Sequence, residues 1–229
     1  TTQSNNTATL LDGRIAIITS FDHDGSYGDL NTIIRIDSDT YLLAYKSNGG
    51  NLKTFTIPAD GSAVTQVAIH NYSGTTSNMY QNDLLQIDAD TYILAYSGSD
   101  ATSHSSYGQH IKTFKVKPDG SSIAQIGHLE HDTNYGSPDY SDLVRVDHNT
   151  YALAYYGYDG GGSNSWGGWI KTFAVNGGSI TQVAKLRHYT SQTRHHSFIK
   201  VDADTYALAF SDVNNDCLLY TSPSPRDRG

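Results

Sequence analysis

Apolar and polar side chains alternate in short runs along nearly the whole chain, and the runs are rich in β-branched and aromatic residues. Turn residues separate them. Period-two spacing of this kind predicts strands with one face buried. The pattern is plainest where Asp142 to Val146, Thr150 to Tyr156, Trp169 to Val175 and Ser179 to His188 predict four consecutive strands. No segment carries a convincing helical period.

The same set of four recurs. The phrase Asp-x-(Asp/Asn)-Thr-Tyr-x-Leu-Ala-(Tyr/Phe) begins at Asp37, Asp88, Asp147 and Asp202, and its tyrosines Tyr41, Tyr92, Tyr151 and Tyr206 lie 51, 59 and 55 residues apart. A second phrase, Lys-Thr-Phe, marks the third strand at Lys53, Lys112 and Lys171. Asp60-Gly61, Asp119-Gly120 and Gly177-Gly178 stand between third and fourth strands, where glycine serves tight hairpins. Four-stranded antiparallel units at this period predict an all-β fold, a β-propeller.

The expected boundaries follow. An extension covers 1–11, repeats run over 12–211, and an atypical tail occupies 212–229. Blades are expected at 30–70, 82–131 and 141–188, with a partial blade at 196–211. Residues 12–23 match a fourth strand, Asp12-Gly13-Arg14-Ile15 aligning with Gly177-Gly178-Ser179-Ile180. If that strand completes the last blade, the ring has four blades and no open edge. In the tail, Cys217 to Pro223 aligns without gaps to Leu52 to Pro58, yet the segment departs from the repeat and resembles translated library-adapter sequence, as in a truncated fragment.

In such a sheet the hairpins between first and second strands and between third and fourth strands share one rim, and that rim is short and repetitive. The opposite rim is long and different in every blade. It is expected to hold Tyr107, His110, Tyr135, Tyr140, Tyr158, Asp159, Trp166 and Trp169, a mixture of flat aromatics and polar groups suited to recognition. These are the candidate binding residues.

Other motifs invite chemistry and have plainer explanations. The Asp pairs that open each phrase offer too few oxygens for Ca²⁺ and are expected to cap the hairpin. His23, His70, His131 and His188 close the fourth strands, too far apart on an outer ring for one zinc ion; they are expected to join neighbouring blades, so no metal or cofactor is assigned. The repeated lysines are expected to lie over aromatics or pair with acids. Asp83 and Asp142 occupy matching first-strand positions near the axis, where two carboxylates could serve as acid and base, although an Asp hydrogen-bonding a strand start is the plainer explanation. No His-Glu-x-x-His, Gly-x-Ser-x-Gly or phosphate loop is present, and no catalytic residue is assigned.

A net charge of -8 opposes attraction to phosphate backbones, so nucleic acid is not expected as a partner. No apolar run is long enough to insert into a membrane. Cys217 is the only cysteine, which excludes an internal disulfide, and a composition rich in Ser, Thr, Asn, Gly and Tyr suggests an extracellular or cell-surface protein, while the adapter-like tail suggests a metagenomic origin.

The repeat resembles uncharacterised secreted β-propeller proteins of environmental bacteria and archaea over about Asp12 to Ser211. The likeness is one of fold: the Trp-Asp ending of WD40 repeats and the Asp box of sialidases are missing. The expected function is a lectin-like, carbohydrate-binding module without catalysis, monomeric, that takes glycan or a surface protein on its variable rim. The alternatives are a glycan-active enzyme with axial carboxylates and a structural spacer.

Overall fold

The computed structural model describes residues 17–25, 27–74, 79–100, 108–133, 141–158 and 166–223. These fold into four antiparallel sheets. Blade 1 comprises β1 (Asp29–Arg35), β2 (Thr40–Ser47), β3 (Gly49–Thr56) and β4 (Thr65–Asn71). Blade 2 comprises β5 (Met79–Gln86), β6 (Thr91–Gly98), β7 (Gly108–Val116) and β8 (Ile123–Asp132). Blade 3 follows with β9 (Asp142–Arg145), β10 (Thr150–Tyr158), β11 (Trp166–Asn176) and β12 (Ser179–Tyr189), and blade 4 with β13 (Thr193–Lys200), β14 (Thr205–Asp212) and β15 (Cys217–Pro223). Strands pair in chain order within every sheet, the meander of a β-propeller.

The repeated Asp closes each first hairpin. Asp37 Oδ1 accepts the amides of Asp39 and Thr40, both at 3.1 Å, and Asp88 and Asp147 do the same for their own turns. Satisfying two turn amides with one carboxylate fixes the turn, and the turn fixes the register of the strands that follow.

Alternation then decides what each residue touches. In β6, Tyr92, Leu94 and Tyr96 face blade 1, whereas Ile93 and Ala95 face blade 3. All five are buried. Their equivalents Tyr151, Leu153 and Tyr155 face blade 2, while Ala152 and Ala154 face blade 4. The core is therefore a series of seams between blades, and each strand serves two seams, so a one-residue slip would spoil both.

Lys-Thr-Phe is the polar version of the same rule. Lys53, Lys112 and Lys171 are at most 5% exposed and reach back to the preceding outer strand, donating to the carbonyls of His23, Tyr72 and His131. Each ammonium also lies over a tyrosine ring of its own blade, at 5.0 Å for Lys53 and Tyr45, 5.7 Å for Lys112 and Tyr96, and 5.5 Å for Lys171 and Tyr155. The next residue points the other way. Thr54 and Thr113 donate to the carbonyls of Gly120 and Gly177 in the hairpin of the following blade, at 2.7 and 3.0 Å. Phe114 and Phe173 turn back again, beneath His70 at 5.7 Å and His131 at 5.0 Å. Three consecutive residues thus address both neighbours.

Two details concern the ends of the array. Residues 17–25 lie against blade 1, with Phe21 6.0 Å from Phe55 and His23 edge-on to Tyr45 at 4.8 Å, in the place of a preceding blade's outer strand. Residues 12–16 lie outside the described residues. The tail does supply a third strand, but Leu219, not Cys217, stands opposite Ala209 as Leu52 stands opposite Ala44. The turn at Asp212, whose Oδ1 takes the amides of Asn214 and Asp216, sets this register. A shift of two residues keeps each side chain on the same face of the sheet and places Tyr220 where the other blades carry lysine.

Candidate functional site

The end of β10 and the start of β11 form an antiparallel pair at the variable rim, with Tyr158 opposite Trp166. Their ring centroids lie 5.2 Å apart, and Tyr156, two residues back on the same face, lies 5.8 Å from Trp166. All three side chains are half-buried. They form one aromatic shelf with an open side. Its backbone is pinned from outside the hairpin: the Tyr158 amide donates to Asp132 Oδ2 at 3.0 Å, and Arg187 donates to the Trp166 carbonyl. Between the tryptophans, Gly167 and Gly168 let β12 approach closely. A Cβ on Gly168 would fall 2.4 Å from the His188 ring, and one on Gly167 would fall 2.3 Å from the Tyr189 carbonyl.

A second aromatic group lies on the same rim between blades 1 and 2. Lys46 Nζ sits 5.9 Å from the Tyr27 ring and 5.8 Å from the Tyr80 ring. Tyr27 is 51% exposed and donates to Asp29 at 3.3 Å. A cation within about 6 Å of two phenol rings offers hydroxyl acceptors a donor, and the rings offer flat faces.

The candidates from sequence separate into three groups. Tyr158 and Trp166 come together on the shelf. His110 and Trp169 do not join it, because both lie within strands and face the seams. Trp169 is 9% exposed and packs under the Arg187 guanidinium at 5.9 Å. His110 is fully buried, stacked on Tyr96 at 4.8 Å. Its Nε2 is 3.2 Å from the Gly98 carbonyl and must carry the proton, which leaves Nδ1 to accept from His128 Nε2 at 3.1 Å. Burial lowers its pKa to about 4, so the ring is neutral and structural. Tyr107, Tyr135, Tyr140 and Asp159 lie outside the described residues. Tyr156, Tyr27 and Lys46 were not among the sequence candidates. Tyr156 directly follows the repeated phrase, where the other blades have Lys46, Ser97 and Ser211, and that departure from the repeat was the available signal.

The axial carboxylates prove to be joints. Asp83 Oδ2 accepts the Leu143 amide of blade 3 at 2.5 Å, and Asp142 Oδ2 accepts the Phe198 amide of blade 4 at 2.6 Å. Burial pushes Asp83 up to about 7, opposed by the Leu143 hydrogen bond and reinforced by the adjacent Asp142 carboxyl. Asp142 is raised as well, chiefly by burial. Each carboxylate is thus engaged by a backbone amide of the next blade, and the charge of one raises the other. Among the described residues no three His, Cys, Asp or Glu side chains converge on a metal-sized site. No helix among them is long and apolar enough to cross a membrane.

No protein-family model matches the chain, and no curated protein matches its sequence. Solved structures do. An alpha-L-arabinanase of Penicillium chrysogenum, complexed with arabinobiose, is similar at 14% identity and a TM-score of 0.54, covering 86% of this chain and 63% of its own. An alpha-L-arabinofuranosidase of Fusarium graminearum, in complex with an iminosugar inhibitor, gives 11% identity and a TM-score of 0.55, with 87% and 63% covered. The Nup133 β-propeller domain of Vanderwaltozyma polyspora gives 10% identity and a TM-score of 0.50, with 88% and 57% covered. The chain thus spans less than two thirds of the length of the propellers it matches. At these identities the likeness is one of fold, and that fold is the β-propeller.

Proposed function

We propose that the chain is a noncatalytic recognition module that binds glycan on its variable rim. The observation that carries this reading is the Tyr156, Tyr158 and Trp166 shelf. It presents half-buried rings on a pinned hairpin, which is how apolar sugar faces are stacked without a large ordering cost. The Tyr27, Lys46 and Tyr80 group gives a second contact on the same rim, and two weak contacts on one rigid body gain through multivalency. That two of the similar folds were solved with a disaccharide or an iminosugar supports the reading by analogy of fold. An extracellular or cell-surface setting belongs to the same proposal. Because Asp83 and Asp142 each accept a backbone amide of the next blade, they support a structural role over the competing glycan-cleaving one.

The test is a glycan array screened with the intact chain and with Trp166→Ala. Binding that falls at least about tenfold in the variant, with its thermal midpoint held, supports the proposal. Undiminished binding removes the shelf from the site. No binding to any glycan would instead favour a surface protein as the ligand.

A further inference from the structure

Every blade carries the same apolar quintet on the face it turns to its successor. In blade 1 it is Ile34, Ile36, Leu42, Ala44 and Leu52; in blade 2, Leu85, Ile87, Ile93, Ala95 and Ile111; in blade 3, Val144, Val146, Ala152, Ala154 and Ile170. In those blades the next blade covers it. Strand register gives blade 4 the same set, Ile199, Val201, Ala207, Ala209 and Leu219, but Ile199 and Val201 are 57% exposed and Leu219 is 71% exposed. Unpaired charge is absent from the quintet. Three contiguous bare aliphatics on a sheet face mark a surface that is covered in the working protein.

The opposite end of the array is the matching half. Ile33 of blade 1 holds the position of Leu84, Leu143 and Phe198, which are 1%, 4% and 6% exposed, yet it is 56% exposed. Among the described residues only the outer part of this leading face is covered, by residues 17–25. Their His23 carbonyl receives Lys53 as the His131 carbonyl receives Lys171, so the segment stands in for the outer strand of a predecessor blade. Blade 4 has three strands among the described residues, with no outer strand among them. Its strands β13, β14 and β15 make no substantial contact with β1, β2, β3 or β4. Each end therefore displays what the other needs.

We infer that two copies of this chain associate head to tail, the trailing face of blade 4 in one copy receiving the leading face of blade 1, with residues 17–25, from the other. The joint repeats the three seams already present within the chain. Ser197 occupies the first-strand place of Asp83 and Asp142, opposite Ala209 as they are opposite Ala95 and Ala154, and would accept the Ile33 amide of the other copy. Such a heterologous contact uses two different patches, so a second identical joint is available to close the ring.

Two unlike patches make a discriminating test. Light scattering after gel filtration should give at least a dimer for the wild type at micromolar concentration. Ile199→Asp and Ile33→Asp should each be monomeric with unchanged circular dichroism, since both side chains point out of the folded chain. Mixed one to one, they should form a heterodimer, because the first retains its leading face and the second its trailing face. Leu219→Asp gives a second trailing-face variant if Ile199→Asp does not fold. A monomeric wild type, as when blade 1 closes onto blade 4 of the same chain, overturns the inference. So does a mixture that stays monomeric while both variants are folded, since head-to-head pairing or no pairing then remains.

Discussion

Lys171 crosses from blade 3 to donate to the carbonyl of His131, 2.8 Å away on the outer strand of blade 2. The same reach is made by Lys112 to the Tyr72 carbonyl, but Lys112 also holds Asp100 at 2.5 Å, and that pair is 2% and 1% exposed. The two lysines look alike in sequence, and at Lys112 the paired carboxylate is itself buried. Lys171→Met leaves a buried carbonyl with one partner fewer and should cost about 1–3 kcal/mol. Lys112→Met removes the countercharge of a buried carboxylate that also accepts from Tyr96, and should cost about 3–5 kcal/mol. Urea denaturation of both variants checks the order; equal losses would mean that Asp100 is not charged in the fold.

The two tryptophans of the rim region separate in the same way. Trp169 fills the seam between blades 2 and 3, so Trp169→Ala should destabilise the fold by about 3–5 kcal/mol. Trp166 has an open side, and Trp166→Ala should cost no more than about 1 kcal/mol. Thermal melts with matched glycan binding distinguish them: binding lost through Trp169→Ala should recover on cooling below its lowered midpoint, whereas binding lost through Trp166→Ala should not.

The blades were legible because they are written in period two with marked turns, and Asp37, Asp88, Asp147 and Asp202 sit where their hydrogen bonds require. The Lys-Thr-Phe phrase was visible as a repeat, but its double address was not. Nothing in a single strand states which neighbour lies on which side, so the lysine's partner, a carbonyl about one blade earlier in the chain, became apparent only with the seams in place. The site was harder. His110 and Trp169 sit in sequence beside rim loops, and only the pairing of β7 with β6 and of β11 with β10 shows that the strands extend past them and turn both inward. Asp83 and Asp142 were recognised as equivalents, yet their contact depends on how closely the inner strands β5 and β9 approach.

Blade 4 should open first. The register of β15 puts Ser222, not phenylalanine, opposite Tyr206, where Phe55, Phe114 and Phe173 stand opposite Tyr41, Tyr92 and Tyr151. A cavity of about 220 Å³ remains at this seam, lined by Ile170, Leu186, His188, Phe198, Tyr206, Leu208, Tyr220 and Thr221. Phe210 and Tyr220 replace the tyrosine and lysine of the other joints, so the donated hydrogen bond to the preceding outer strand is lost as well. In a repeat array, end units held by weaker interfaces unfold locally. Hydrogen exchange should show β14 amides exchanging at least about tenfold faster than those of β6. Equal protection would mean that the array unfolds only as one unit.

Acid and base should pull the fold in opposite directions, and Asp83 allows them to be separated. With its carboxyl raised to about 7 by burial and the adjacent Asp142, the folded chain keeps a proton that the unfolded chain releases near its ordinary value of 3.8. Between about pH 4 and 7 the unfolded state therefore binds fewer protons, and this group's contribution to stability falls as pH rises. His188 acts in reverse: burial lowers it to about 3, so its contribution is present above the ordinary value of 6.5 and is lost as pH falls below that toward 3. Asp83→Asn keeps an oxygen for the Leu143 amide and adds a donor for Asp142, while removing the ionisation. The stability difference between variant and wild type should grow steadily from about pH 4 to about pH 7 and then level off, with the histidine effect cancelling because both proteins share it. Urea midpoints measured across that interval decide the matter, and a difference independent of pH would show that Asp83 ionises like an exposed carboxylate.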